Sequence, residues 1–200
     1  MKKSKKMFAA LLLAFVLLMA GAFALYTSFS GALTPDRLTV EEGEGKLDEG
    51  EGGQDQDSEL VMAPDFTVYD VDGNEVRLSD YVGKPIVLNF WASWCGPCQR
   101  EMPDFNEKYL ELGDEIHFLM VNMTDGSRET VEVAAEFVEE KGYAFPVFYD
   151  TAANAAMTYG VYSLPATYFI DAEGRGVAWA SGTIDGETLQ KGIDMIRPEE

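Results

Sequence analysis

Pro85-Ile-Val-Leu-Asn-Phe-Trp-Ala-Ser-Trp-Cys-Gly-Pro-Cys98 is the stretch from which the rest of this chain is read. Residues 85–91 form an apolar run, dense in β-branched and aromatic side chains and broken by Asn89, which is the pattern of a buried strand. Residues 99–110, Gln-Arg-Glu-Met-Pro-Asp-Phe-Asn-Glu-Lys-Tyr-Leu, set Met102, Phe105, Tyr109 and Leu110 at helical spacing. Cys95 and Cys98, the two cysteines of the chain, therefore fall where a strand passes into a helix. On the first turn of a helix, residues three apart lie about 5–6 Å from one another. A disulfide tolerates Cα separations of roughly 4.4–6.8 Å. The pair is spaced to open and close.

Position gives the pair its chemistry. Only a thiolate attacks a disulfide, and an ordinary cysteine is mostly protonated at neutral pH. A helix N-terminus carries unpaired N–H groups and about half a positive charge, which stabilises a sulfur anion placed there. Cys95, the more N-terminal, is assigned as the nucleophile; Cys98, one turn in and more buried, resolves the mixed disulfide. Pro97 costs little in a first turn, whereas Pro103 is expected to kink the helix. Other readings of the pair are weaker. A staple closing so short a loop adds little stability. Structural zinc needs four ligands, and the sole histidine, His117, sits in a strand-like apolar run and is read as a strand residue. Neither metal nor organic cofactor is expected.

The formal net charge is −20, distributed unevenly. Lys2, Lys3, Lys5 and Lys6 give +4; residues 34–59 hold ten acids against Arg37 and Lys46, net −8; residues 60–200 hold 25 acids against nine bases, net −16. Such a surface argues against nucleic-acid partners. Residues 1–6 are a basic n-region, and Met7–Tyr26 is an apolar run of about twenty residues, long enough to cross a bilayer. Lysines before it place the N-terminus in the cytoplasm and the rest outside, as a single-pass membrane protein. A cleaved signal peptide is the rival, since Ala22-Phe23-Ala24 matches a small-x-small site and cleavage would leave a secreted protein. The length of the run favours an uncleaved anchor.

Residues 27–59, with Glu41-Glu-Gly-Glu-Gly45 and Asp48-Glu-Gly-Glu-Gly-Gly53, have the composition of a flexible acidic linker. The folded domain is expected over 60–200. It opens with a hairpin, Phe66–Val71 and Glu75–Leu78 around Asp72-Gly73. The buried strand and motif helix follow, then a second buried strand at 116–122, parallel to the first if the helix crosses over. A polar loop, Met123–Glu129, leads to a helix over 130–141 with Val133, Phe137 and Val138 inward. After a short extended piece at 145–148 and a short helix at 151–159, strands 166–170 and 176–180 form a hairpin. A helix over 186–196 closes the domain. This pattern predicts an α/β fold: a mixed central sheet flanked by helices, with an N-terminal hairpin extension and an N-terminal membrane segment.

Four stretches carry a resemblance: Ala63-Pro-Asp-Phe66, Val87–Cys98, Glu101-Met-Pro103, and Val161-Tyr-Ser-Leu-Pro-Ala-Thr-Tyr-Phe-Ile-Asp171. Together they resemble the thioredoxin superfamily, and within it the TlpA/ResA-type branch of extracytoplasmic, membrane-tethered thiol–disulfide oxidoreductases. The resemblance spans 60–196. It implies a thioredoxin-like fold, a redox-active Cys95–Cys98 disulfide, and a cis Pro165 facing the dithiol, with the Leu164 backbone offered to substrate. Trp94, Gly96 and Pro97 complete the substrate-binding set. Cytoplasmic thioredoxins carry a buried acid on the central strand, where this chain has Asn89. The ResA-type branch implies instead that Glu101, one turn after Cys98, moves the proton of that thiol. The Gly96-Pro97 dipeptide is that of reducing thioredoxins, whereas some ResA-type members carry an acidic residue first.

The function expected is reduction of disulfides in extracytoplasmic proteins, with cytochrome c maturation or recycling of methionine sulfoxide reductases as candidate roles. The family implies a CcdA- or DsbD-like membrane electron donor, and a monomer is expected. Two rivals are a thioredoxin-fold peroxidase, for which the upstream threonine and proline are replaced by Trp91-Ala-Ser-Trp94, and a membrane-tethered binding module without turnover.

Overall fold

The computed structural model describes residues 61–197 and the backbone of Thr39–Val40. The basic n-region 1–6, the membrane segment read at 7–26 and, apart from Thr39–Val40, the linker read at 27–59 lie outside the described residues. Among the described residues no helix is long and apolar enough to cross a membrane.

Among the described residues eight strands build one sheet: β1 (Thr39–Val40), β2 (Thr67–Tyr69), β3 (Glu75–Arg77), β4 (Ile86–Trp91), β5 (His117–Asn122), β6 (Val147–Tyr149), β7 (Ala166–Ile170) and β8 (Gly176–Ser181). Their order is β1-β8-β7-β4-β5-β6-β2-β3. The central strands β4, β5 and β6 run parallel, whereas β7 pairs antiparallel with both β4 and β8. At the far edge β2 and β3 pair antiparallel around a turn in which the Asp70 carboxylate accepts the Asp72 and Asn74 N–H groups. At the other edge, Thr39–Val40 lies opposite Ala178 and Trp179, so two residues of the stretch read as linker form a strand. Helices α1 (Gly96–Leu112), α2 (Val131–Lys141), α3 (Asn154–Thr158) and α4 (Gly186–Ile196) flank the sheet. This is a thioredoxin-like α/β fold with a mixed sheet, as expected.

Strand alternation divides the core between the two faces of the sheet. Val87 and Trp91 of β4 join Phe118 and Met120 of β5 on the face covered by α1, α2 and α4. Ile86, Leu88 and Phe90 join Leu119 and Val121 on the face closed by Phe66, Val68 and Leu78. Burying side chains of this size contributes roughly 1.5–3 kcal/mol each. The alternation also fixes Asn89, between Val87 and Trp91, on the α1 face. His117, a half-buried strand residue as read, stacks edge-to-face on Tyr81 at 5.0 Å. Burial, and then the Lys84 charge, lower its pKa.

One inward assignment is corrected, and one position of the helical spacing lies off the core. Leu110 is exposed, because the buried stripe of α1 runs through Met102, Phe105, Tyr109 and Leu112, and Leu110 lies about 100° off it. Val133 is also exposed; Val131, Ala134, Phe137 and Val138 form the inner face of α2. The helix α1 continues through Pro103 as one element of 17 residues.

Candidate active site

The strand β4 delivers the chain to a short turn, Ala92–Trp94, and α1 starts directly after it. Cys95 is the N-cap of α1, with extended backbone, and its Sγ accepts the Cys98 N–H at 3.2 Å. The two cysteines form a disulfide with Cα atoms 5.3 Å apart. Cys98 is fully buried, and Cys95 retains 4% exposure. The asymmetry is the one expected, although Cys95 is more enclosed than a freely exposed thiol. On reduction, a sulfur at this N-cap receives a backbone N–H and the positive end of the helix, both of which favour its anion.

Cys95 lies in a groove of about 490 Å³ assembled from three loops. Trp94–Pro97 forms one side, Val161–Leu164 another, and Met123 with Asp125 a third. Trp94, Gly96, Pro97 and Leu164 are thus brought together around the sulfur, while Cys98, Glu101 and Pro165 are buried and do not line the groove. The Leu164–Pro165 peptide bond is cis. No described residue makes a hydrogen bond to the backbone of Leu164, leaving one N–H and one C=O for an extended segment laid along the groove. Trp94 is 43% exposed and the guanidinium of Arg128 lies over its ring at 4.1 Å. Trp91 is instead wholly buried and packs against Phe137.

Beneath the groove, Glu101 is 1% exposed. Its Oε1 accepts the Asn89 Nδ2–H at 2.9 Å and its Oε2 accepts the Ile184 N–H at 3.0 Å. Asn89 also donates to Thr167 Oγ1 at 3.0 Å, tying β4 to β7. Desolvation pushes the Glu101 carboxyl up to about 7, against the lowering effect of those two hydrogen bonds. A carboxyl with its pKa there gains and loses its proton near neutrality, one helical turn from Cys98.

A second buried acid was missed. Glu129, read as the end of a polar loop, is 0% exposed. It accepts the Ser93 N–H at 2.7 Å, the Ser93 hydroxyl at 2.6 Å and the Asn122 Nδ2–H at 2.6 Å. The signal that would have found it lies in the strands. Asn89 interrupts one apolar strand and Asn122 ends the next, and a buried amide requires partners. Those partners are Glu101 and Glu129.

The AhpC/TSA family matches residues 61–177. The thiol–disulfide oxidoreductase ResA of Geobacillus thermodenitrificans is 39% identical over 137 residues, covering 68% of this chain and 76% of that protein. ResA of Geobacillus kaustophilus is 33% identical over 199 residues, covering 99% of this chain and all of that protein. Among solved structures, the exposed lipoprotein thioredoxin of Streptococcus pneumoniae superposes with a TM-score of 0.55 at 38% identity, covering 66% of this chain and 99% of that one.

Proposed function

Since the chain belongs to the AhpC/TSA family and is a ResA-like thiol–disulfide oxidoreductase, we propose that it reduces disulfides in extracytoplasmic proteins. The observation that carries this reading is the placement of Cys95 at the helix N-cap, at the base of a groove whose opposite wall presents an unpaired Leu164 backbone. In the reduced enzyme the Cys95 thiolate attacks one sulfur of the target disulfide. A Cys95–target bond forms, the target disulfide breaks, and the second target sulfur leaves as a thiolate that takes a proton. Cys98 then attacks the Cys95 sulfur; the Cys95–Cys98 bond forms and the first target sulfur is released. Two electrons have passed to the target. In this scheme Glu101 accepts the Cys98 proton before the second attack, and Trp94, Gly96, Pro97, Leu164 and Pro165 hold the target strand.

We place the enzyme at the outer face of the cell membrane, anchored by residues 7–26 with 27–59 as tether and 60–200 as the catalytic domain. Electrons would come from a CcdA- or DsbD-like membrane carrier. Targets would be proteins whose cysteines must be kept reduced outside the cytoplasm, as in cytochrome c maturation or methionine sulfoxide reductase recycling. Nothing specific at the site favours a peroxidase, since both cysteines belong to one C-x-x-C disulfide at a strand-to-helix junction.

The test is a Cys98→Ser variant of the full chain, reduced and then exposed to a disulfide-containing protein. It should accumulate a covalent complex through Cys95, released by added dithiothreitol, while the wild type turns over and accumulates none. A Cys98→Ser protein that forms no mixed disulfide with any disulfide protein offered would end the proposal.

A further inference from the structure

We propose that Glu129 is a positioning residue for the dithiol reaction: it holds the turn that carries Cys95. Ser93, two residues before the nucleophile, has every polar group engaged. Glu129 accepts from its N–H at 2.7 Å and its hydroxyl at 2.6 Å, and its carbonyl accepts from Gln99 Nε2 at 2.5 Å. Glu129 is itself anchored to the end of β5 through Asn122, whose Oδ1 is held in turn by the Thr124 hydroxyl at 2.9 Å. The turn between β4 and α1 is thus fastened to a neighbouring strand. The Cys95 N–H, bonded to Ala92 at 3.1 Å, closes the same turn.

The same residue organises a wall of the groove. The Glu129 carbonyl accepts the Asp125 and Gly126 N–H groups, each at 3.0 Å, and the Glu129 N–H donates to Asp125 Oδ1 at 3.0 Å. Asp125 lines the groove and Arg128 covers Trp94. One residue therefore references the sulfur, through its buried side chain, and the wall facing it, through its backbone, to a common point. Displacements of about 1 Å at a reacting centre cost on the order of 100-fold in rate, so a residue that fixes this turn fixes reactivity without touching substrate.

Positioning and simple charge make opposite predictions. A carboxylate acting only through its negative charge would disfavour the Cys95 thiolate, so removing it would lower the thiol pKa. A carboxyl that keeps Sγ at the helix N-terminus favours the thiolate, so removing it lets the pKa drift toward the free value of about 8.5. Glutamine separates the two. Its Oε1 can accept from the Ser93 N–H and from Asn122, and its Nε2 can donate to the Ser93 hydroxyl, with no charge.

The experiment measures iodoacetamide modification of Cys95 against pH in the reduced full chain, for wild type, Glu129→Ala, Glu129→Gln and Ser93→Ala. The neighbouring charged groups, Arg100 on the helix, Asp125 and Arg128 on the loop and Glu101 beneath, are the same in all four proteins. Glu129→Ala should raise the pH midpoint toward that of a free thiol and slow modification at neutral pH by about 10-fold or more. Glu129→Gln should restore most of the loss, and Ser93→Ala, which forfeits one contact of three, should fall between. If Glu129→Ala does not accumulate, the Ser93→Ala and Glu129→Gln proteins carry the comparison. An Ala variant indistinguishable from wild type, or a Gln variant shifted as far as Ala in either direction, overturns the proposal. The inference rests on Cys95 being the attacking sulfur: wild-type modification falling first on Cys98 overturns both readings, whereas a normal wild type with an unaffected Glu129→Ala overturns only this one.

Discussion

Asn89 donates to both Glu101 and Thr167 and leaves its own Oδ1 buried without a partner. That arrangement suits an ionised Glu101. When the carboxyl is protonated, rotation of the Asn89 amide would bring Oδ1 to face it, able to accept from Glu101 and from the Thr167 hydroxyl. An asparagine here can serve both states of its neighbour, and an aspartate would add a second buried charge. The pKa of Glu101, raised by burial from 4.5 to about 7, makes a signed prediction. Below about pH 4.5 folded and unfolded chains both hold this proton. Between about 4.5 and 7 the unfolded chain loses it while the folded one keeps it, so stability falls by about 3 kcal/mol across that window and levels off above it. Glu101→Gln, which the rotated Asn89 can satisfy, should remove that fall; the difference between urea unfolding curves of the two oxidised proteins at several pH values checks it. In the proposed mechanism the same change slows resolution of the mixed disulfide by about 100-fold and erases a rise in its rate near pH 7. A wild type and a Gln variant whose stabilities track each other across the window would contradict both. The placement of Cys95 at a strand-to-helix junction and of Glu101 one turn after Cys98 was legible because a motif and a helical turn are local in sequence. Glu129 was not, because its partners Ser93 and Asn122 come from two other segments that only the sheet brings together.

At the scale of elements, strands and helices were read well where periodicity was strong. The run Pro85–Trp91 became β4, buried throughout, and 186–196 became α4 with its predicted bounds. Phase within a helix was harder. Leu110 and Val133 are apolar yet exposed, because the angle at which each helix packs selects one stripe, and sequence spacing allowed its neighbour. The edge strand Thr39–Val40 could not be read at all from an acidic, glycine-rich context; its pairing depends on the free edge of β8. Packing of α4 on the sheet rests on a residue with no side chain. A Cβ at Gly192 would run into the ring of Phe169, which is wholly buried in β7. Gly192→Ala forces either that ring or the helix to move, and overpacking of this kind costs about 1–3 kcal/mol despite the better helix propensity of alanine. The urea midpoint of the Ala variant should fall accordingly with the slope unchanged, whereas an unchanged or higher midpoint would mean the α4–β7 contact yields freely.

The whole chain carries its charge in an order that fits the direction proposed above. Four lysines precede the apolar run 7–26, and everything after it is strongly acidic, with net −8 over 34–59 and net −16 over 60–200. Lysines at one end of a membrane segment hold that end in the cytoplasm, and an acidic domain gains nothing from an anionic membrane surface. If 27–59 is the proposed tether, its like charges would favour extension and hold the domain clear of that surface. The match to a Geobacillus kaustophilus ResA over 99% of this chain shows that the relative spans the N-terminal segment as well as the domain. If 7–26 is an uncleaved anchor, the chain made in a bacterial host should keep its full mass of 22.1 kDa and stay with membranes through an alkaline carbonate wash. With that anchor in place, protease added outside intact spheroplasts should remove the catalytic domain. A soluble extracytoplasmic product that begins just after Ala24 would show instead that the segment is a signal peptide, removed at the Ala22-Phe23-Ala24 site. A domain protected from that protease would overturn the outward orientation, and with it the choice of extracytoplasmic disulfides as substrates.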